Sequence, residues 1–265
     1  HFDTIDQAQS PEFFIKFVDE GNKIESVQAC KKLMSSLLNI GNNQSILDVG
    51  CGTGDDVISL AELVGNTGRV TGVDNSEKMI MEARKRYELK AKEKLPTVEF
   101  HIGNVLHLDF ADNSFDCSRA ERLLIHIDDP RKAIAEMVRV TKSGGRIVIF
   151  DLDMDGAMVN HNNRTLTRKI MHLMCYSVVN GWIGRQLPSL FKEAGLRNIK
   201  IVPHVLLSHY TLFVHICNGI IKNALQSGAL TEDEYKQMWS YLERKDQEGE
   251  FLAAIPGFIV YGQKP

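Results

Sequence analysis

The chain has 265 residues, 43% hydrophobic and 25% charged, with a net charge of −3; that composition excludes disordered and fibrous classes and offers no global positive field for nucleic acid. Five cysteines at positions 30, 51, 117, 175 and 217, with no CxxC among them, speak against a disulfide framework or a zinc site and for a reducing, cytoplasmic setting. The opening HFDTIDQAQS lacks the basic start and apolar run of a signal peptide, and the most apolar stretch, 205–221, carries His209 and His215 among other polar residues, so no membrane span is expected.

In chain order, residues 10–39 read as helix, because Phe13, Phe14, Phe17 and Val18, and later Leu33, Leu37 and Leu38, recur three and four apart. SILDV (45–49) is a short apolar strand. DDVISLAELVG (55–65) places Val57, Leu60, Ala61 and Val64 on one helical face. RVTGVD (69–74) is the next strand, and Ser76 is the expected N-cap of a charged helix running to about residue 94. VEFHIGN (98–104) and SFDCSRA (114–120) are further strands. A helix over 129–141 ends in KSGG, and RIVIFDLD (146–153) follows as strand. After a helix over 183–196 come two late strands, 198–209 and 251–264. Strands alternating with helices predict an α/β fold with a parallel, doubly wound sheet. Two late segments, 154–182 and 210–250, break the alternation, read mainly as helix, and are expected to cap the mouth of the sheet.

The stretch ILDVGCGTG (46–54) carries the functional signal. In a doubly wound sheet, ligands bind beyond the carboxyl ends of the strands, and the loop after the first strand lies there. Gly50, Gly52 and Gly54 let backbone turn sharply and approach a ligand with no Cβ in the way, and the helix that follows presents free N–H groups. Asp74 ends the second strand 74 − 54 = 20 residues beyond the last glycine, the place of an acid that accepts from ribose hydroxyls. The spacing is G-x-G-x-G rather than the dinucleotide G-x-G-x-x-G. Asp48, Asp55 and Asp56 crowd the loop; their charge would repel a pyrophosphate and favour a nucleoside bearing a cation.

With these residues in view, the chain resembles the class I S-adenosylmethionine-dependent methyltransferases. DVGCGTG, GVDNSEKMI, FHIGNVLHLDFADNSFD and RVTKSGGRIVIFD are similar to that superfamily over residues 40–155. SRAERLLIHIDDPRKAIAEMVRV, GWIGRQLPSLFKEAGL and GFIVYGQKP resemble the small-molecule methyltransferases of the ubiquinone and menaquinone type. The resemblance implies one methyltransferase domain across 1–265: N-terminal helices in 10–39, a cofactor-binding core in 45–153, and cap insertions. Its fold would be a Rossmann-like seven-stranded sheet, mostly parallel, with an antiparallel last strand. It implies S-adenosylmethionine as methyl donor, S-adenosylhomocysteine as product, and a small-molecule acceptor. Gly50 and Gly52 would meet the methionine end, with Asp48 near its ammonium; Asp74 would hold the ribose, and Asn75 and Met79 would flank the adenine. Asn104 stands where the family usually has an acid facing the adenine amino group, and Val105 would offer its backbone N–H. Ala120 and Glu121 would border the cofactor where donor and acceptor meet.

His126 is the candidate general base, since histidine titrates near neutrality; a structural role for it is the competing reading. Methyl transfer from a sulfonium is an in-line displacement in which alignment and exclusion of water carry most of the work, so a base matters only for an acceptor that must lose a proton. The histidines of the late segments, at 161, 172, 204, 209 and 215, have no metal-binding spacing and read as scattered surface or core residues. An RNA or protein methyltransferase is the alternative reading, and the chain lacks a [DN]-P-P-[YFW] motif or a basic run for it. A non-catalytic cofactor-binding protein is a third.

Overall fold

A computed structural model describes residue 6 and residues 11–90 and 97–265. Helices α1 (Pro11–Asn22) and α2 (Glu25–Leu38) lead into a core of β1 (Ser45–Val49), α3 (Asp55–Ala61), β2 (Arg69–Asp74), α4 (Glu77–Lys90), β3 (Thr97–Ile102), β4 (Phe115–Glu121), α5 (Pro130–Val140) and β5 (Thr141–Leu152). The later chain forms β6 (Met158–Val159), α6 (Arg164–Tyr176), α7 (Ile183–Glu193), β7 (Arg197–Ser208), α8 (Tyr210–Gln226), α9 (Glu232–Gln247) and β8 (Ala253–Gln263). The N-terminal helical stretch is thus two helices, and of the long charged helix expected after Ser76 the part beyond Lys90 lies outside the described residues up to position 96. Ser76 caps α4 as expected, its hydroxyl accepting from Met79 N at 3.2 Å.

The sheet runs β3-β2-β1-β4-β5-β8-β6, with β7 on the other edge of β8. β1 to β5 pair in parallel, and β8 runs antiparallel to β5, β6 and β7. The expected antiparallel last strand is therefore present, but the sheet has eight strands, not seven. β5 pairs with residues 257–263 of β8 and β6 with 253–254, so β6 resumes the line of β5. The chain leaves that line in a 3-10 turn at Met154–Gly156, where Asp153 caps Gly156 N. Two residues are too few to display a strand period, which is why the sequence pattern does not reveal β6. β5 also begins earlier than expected, at Thr141, because Lys142–Gly145 bulge before regular pairing resumes at Arg146.

Alternation within the strands divides the core. Ile147, Ile149 and Val260 join α5 to α9 on one face, whereas Val148, Phe150 and Ile259 join α2 and α3 on the other. Both faces are covered, which explains near-continuous apolar runs such as IVIF. The segments at 154–182 and 210–250 both emerge at the carboxyl edge of the sheet, from the ends of β5 and β7. Among the described residues no helix is long and apolar enough to cross a membrane, and the five cysteines stand as separate thiols.

Candidate active site

The strand pairing brings the sequence-flagged residues to one edge. Val49 aligns with Val73 on one side and Ala120 on the other, and Asp74 aligns with Ile102. The glycine loop leaves β1 at this edge, tied by Gly50 N and Cys51 N to Val73 O at 2.7 and 3.0 Å. Its three glycines all have positive φ, and their surroundings differ. A Cβ on Gly50 would lie 2.9 Å from Leu123, and one on Gly54 would lie 2.8 Å from both Ala83 and Phe100. A Cβ on Gly52 would meet nothing within 4 Å. The outer glycines are therefore required by packing, and the middle one faces open space.

Asp74 closes the same space. One carboxylate oxygen accepts from Gly52 N at 2.9 Å and the other from Ser76 N at 3.0 Å. Burial raises its pKa, and these two backbone donors oppose the rise. Each oxygen keeps a lone pair for a further donor. Asn75 is exposed, whereas Met79 is 1% exposed and forms wall rather than open lining. Asp6 reaches the start of α4, accepting from Ser76 Oγ at 2.6 Å and from Glu77 N at 2.8 Å. Asn104 follows β3 and is exposed, with its amide oxygen accepting from Leu106 N at 2.8 Å. That is the strand-end turn, with one lone pair of the oxygen left over. Val105 beside it is buried.

The carboxylates around the loop are matched by cations. Arg119, fully buried in β4, meets Asp48 at 3.3 Å, Asp56 at 3.2 Å and Glu121 at 3.0 Å. Lys31 of α2 pairs with Asp56 and with Glu121, the latter at 3.0 Å, and Arg122 meets Glu121 at 3.0 Å. Arg86 of α4 binds Asp55 at 2.8 Å and Asp19 of α1 at 2.8 Å. This corrects the electrostatic expectation: Asp48, Asp55 and Asp56 do not present uncompensated negative charge. Burial pushes the Asp48 carboxyl up, against the pull of Arg119. Burial would raise Glu121 too, but Lys31, Arg122 and Arg119 outweigh it and hold the carboxyl well below the usual range. Arg119 and Lys31 were not flagged by the sequence. The available signal was an arginine placed mid-strand in an otherwise apolar sheet, where a charge must find partners.

Glu121 is followed by Arg122 at φ +51°, whose N–H donates to Phe150 O at 2.8 Å. That kink throws the chain into a 3-10 turn at Leu124–His126. His126 is half-buried on this turn, at the end of the neighbouring strand to β1. The later histidines hold local structure: His209 caps Leu212 N at 3.3 Å, His161 accepts from Asn163 N at 3.0 Å, and His204 meets Ser26 O at 2.7 Å. The broad groove of about 1390 Å³ between α1, α2, α3 and α4 is lined by mixed charges such as Lys16, Glu20, Lys32 and Glu62. It lies outside the glycine-loop space, touching only Asp55 and Asp56 beside it.

A glycine loop and a strand-end acid on a doubly wound sheet with an antiparallel last strand define a nucleoside-binding class of enzyme. A family model described as "Methyltransferase domain" matches residues 40–195. A demethylmenaquinone methyltransferase of Halalkalibacterium halodurans is 32% identical over 207 residues, covering 71% of this chain and 83% of that protein. A 37.1 kDa protein in transposon TN4556 of Streptomyces fradiae is 32% identical over 253 residues, 94% of this chain and 71% of that protein. Among solved structures, the YcgJ protein of Bacillus subtilis shares the fold at a TM-score of 0.62 and 22% identity, covering 90% of this chain and 99% of that one. The chain belongs to the methyltransferase family and is an S-adenosylmethionine-dependent methyltransferase of class I.

Proposed function

We propose that this enzyme transfers the methyl group of S-adenosylmethionine to a small organic acceptor, a natural product or quinone-like ring. The observation that carries the cofactor half is Gly52, whose missing side chain opens onto space while its N–H is fixed by Asp74. The residues fit the cofactor. A Cβ at Gly52 would enter that cradle, and Asp74 offers two lone pairs to the ribose hydroxyls. Gly50, with Asp48 behind it, lies at the methionine end, and Asn75, Met79, Asn104 and Val105 border the adenine. Ala120 and Glu121 form the edge toward the acceptor. The bound cofactor supplies an electrophilic methyl group on a sulfonium; the chain holds the acceptor in line and excludes water. His126 takes the proton of an acceptor that must lose one.

The acceptor half rests on the segments 154–182 and 210–250, which rise from the carboxyl edge as caps, the second gathering aromatic residues with Phe251 just beyond it. Phe213 packs against Trp239 at 6.4 Å and Phe251 at 5.7 Å, and Tyr210 against Phe251 at 5.5 Å between ring centres. The relatedness to a demethylmenaquinone methyltransferase supports a ring acceptor. The test uses methyl-labelled S-adenosylmethionine and a cell extract separated into small molecules and macromolecules, with Asp74→Ala as control. Label in the small-molecule fraction, lost in the variant, supports the proposal. Label confined to RNA or protein refutes it.

A further inference from the structure

The turn that carries His126 is held on both of its polar sides. Its N–H groups point at Asp151, which ends β5 and is fully buried. One oxygen of that carboxylate accepts from Leu124 N at 2.8 Å and Ile125 N at 3.3 Å, and the other accepts from Leu152 N at 3.0 Å. The turn's carbonyls point at Asn180, which follows α6 in the 154–182 segment. Its amide nitrogen donates to Leu124 O at 3.1 Å and to Ile127 O, and its backbone N–H donates to Ile125 O at 3.0 Å. Leu123, at the head of the turn, lies where a Cβ on Gly50 would strike it.

A buried carboxylate is costly to ionise, and the three backbone N–H donors oppose that cost. The geometry shows why the acid is used. Three N–H groups converge on two oxygens from opposite sides, so an amide would set its own N–H₂ against one of them. The left-handed Arg122 kink needs such reinforcement, because a non-glycine residue there is strained.

We propose that Asp151 and Asn180 are positioning residues for methyl transfer, clamping the Leu123–Ile127 turn between the sheet and the 154–182 segment so that the turn keeps its register against the glycine loop. This rests on the reading of the site given above. The clamp touches no reacting atom; it sets where His126 and the acceptor-facing edge stand. A displacement of the order of 1 Å at such a site costs about 100-fold in rate.

The experiment compares full-length wild type with Asn180→Ala, Asn180→Asp and Asp151→Asn. Three quantities are read: S-adenosylhomocysteine affinity by calorimetry, total label transferred from saturating methyl-labelled S-adenosylmethionine to cell extract, and the thermal midpoint. Total label is used so that the result does not depend on the acceptor class. The expectation is a fall in turnover of about 10- to 100-fold at an assay temperature where every variant is folded, with affinity for the product little changed. Asn180→Asp, nearly isosteric but unable to donate, should fall as far as Asn180→Ala, and Asp151→Asn keeps the test open should one Asn180 variant fail to fold. Turnover equal to wild type alongside a lowered thermal midpoint overturns the proposal, because the clamp would then serve stability alone. Product affinity falling in step with turnover also overturns it. A wild-type chain that binds no S-adenosylhomocysteine removes the cofactor reading itself, an outcome distinct from both.

Discussion

Two alanine substitutions in the glycine loop should have opposite consequences. Both Gly52 and Gly54 have positive φ, +51° and +78°, so alanine at either costs about 1–2 kcal/mol of backbone strain. Gly52→Ala adds a methyl that meets no atom within 4 Å, and its stability loss should stop there. In a chain of this size that is a fall of roughly 2–8 °C in Tm. Gly54→Ala adds a methyl 2.8 Å from the Ala83 methyl and from the Phe100 ring. Both neighbours are buried core residues, and forcing them apart costs about 1–3 kcal/mol more. Gly54→Ala should therefore lose about 2–5 kcal/mol in all. Affinity should rank the other way among folded molecules. The Gly52 methyl occupies the cradle and should weaken S-adenosylhomocysteine by about tenfold or more, which is about 1.4 kcal/mol. Urea unfolding and calorimetry on both variants separate the two effects. If Gly52→Ala bound the product as wild type does, the open space at Gly52 would not be the cofactor's. If the two variants were equally stable, the packing argument for Gly54 would fail.

Three further outcomes follow from the geometry. Asp74→Asn should lower S-adenosylhomocysteine affinity by about 10- to 100-fold, because the amide cannot accept on both sides from Gly52 N and Ser76 N and still serve the ribose; calorimetry reads this directly. Burial raises the Asp151 pKa from 3.8 to about 7. The folded state thus binds a proton more tightly than the unfolded state, and the resulting stability is present below the unfolded value and lost as pH rises through about 7. Relative to Asp151→Asn, wild type should lose about 2 kcal/mol of unfolding free energy between about pH 5.5 and about pH 8; a pH-independent difference in urea unfolding would contradict the assignment. Lys31→Met should destabilise by about 3–5 kcal/mol, the usual cost of removing one partner from a buried ionic set, and adding Glu121→Gln should restore part of it in a double-variant cycle.

Local pattern was enough to read the alternating core, because the central strands β1, β2 and β5 are covered on both faces and show as apolar runs bounded by turns. The glycine loop and Asp74 were legible for the same reason: backbone torsion and strand-end position fix the residue type locally. What escaped was set by contacts far apart in sequence. Arg119 is separated from Lys31 by 119 − 31 = 88 residues, and no spacing rule joins them through Asp56 and Glu121. Asp151 reads as part of a strand, and the turn N–H groups it accepts from lie 26 and 27 residues earlier. Asn180 sits in a turn whose sequence, VVNGW, signals only a break between helices. The crowding of Asp48, Asp55 and Asp56 is visible in the sequence, but its compensation is not, since the neutralising cations come from α2, α4 and β4.

That neutralisation changes what the loop's acids do. Lys31, Arg86, Arg119 and Arg122 stand against Asp48, Asp55, Asp56 and Glu121, with Arg86 shared by Asp19 and Glu82, so each acid of the loop has a cationic partner within the protein. Apolar residues of similar volume could fill such a space at equal or better stability. What they could not do is fix directions. Asp56 lies in the first turn of α3, Glu121 ends β4 and Lys31 projects from the middle of α2. Joined through Arg119, they set the angle at which the glycine loop leaves β1 and the N-terminal helices lie beside it. Arg86 repeats the arrangement one layer out, joining α1 through Asp19 to Asp55. Because these acids have cationic partners within the protein, the loop does not depend on a ligand's charge to hold them. If the cofactor sits at Gly52 as proposed, shape and backbone hydrogen bonds carry its recognition more than a net field, and the Gly52 methyl should disturb it sharply.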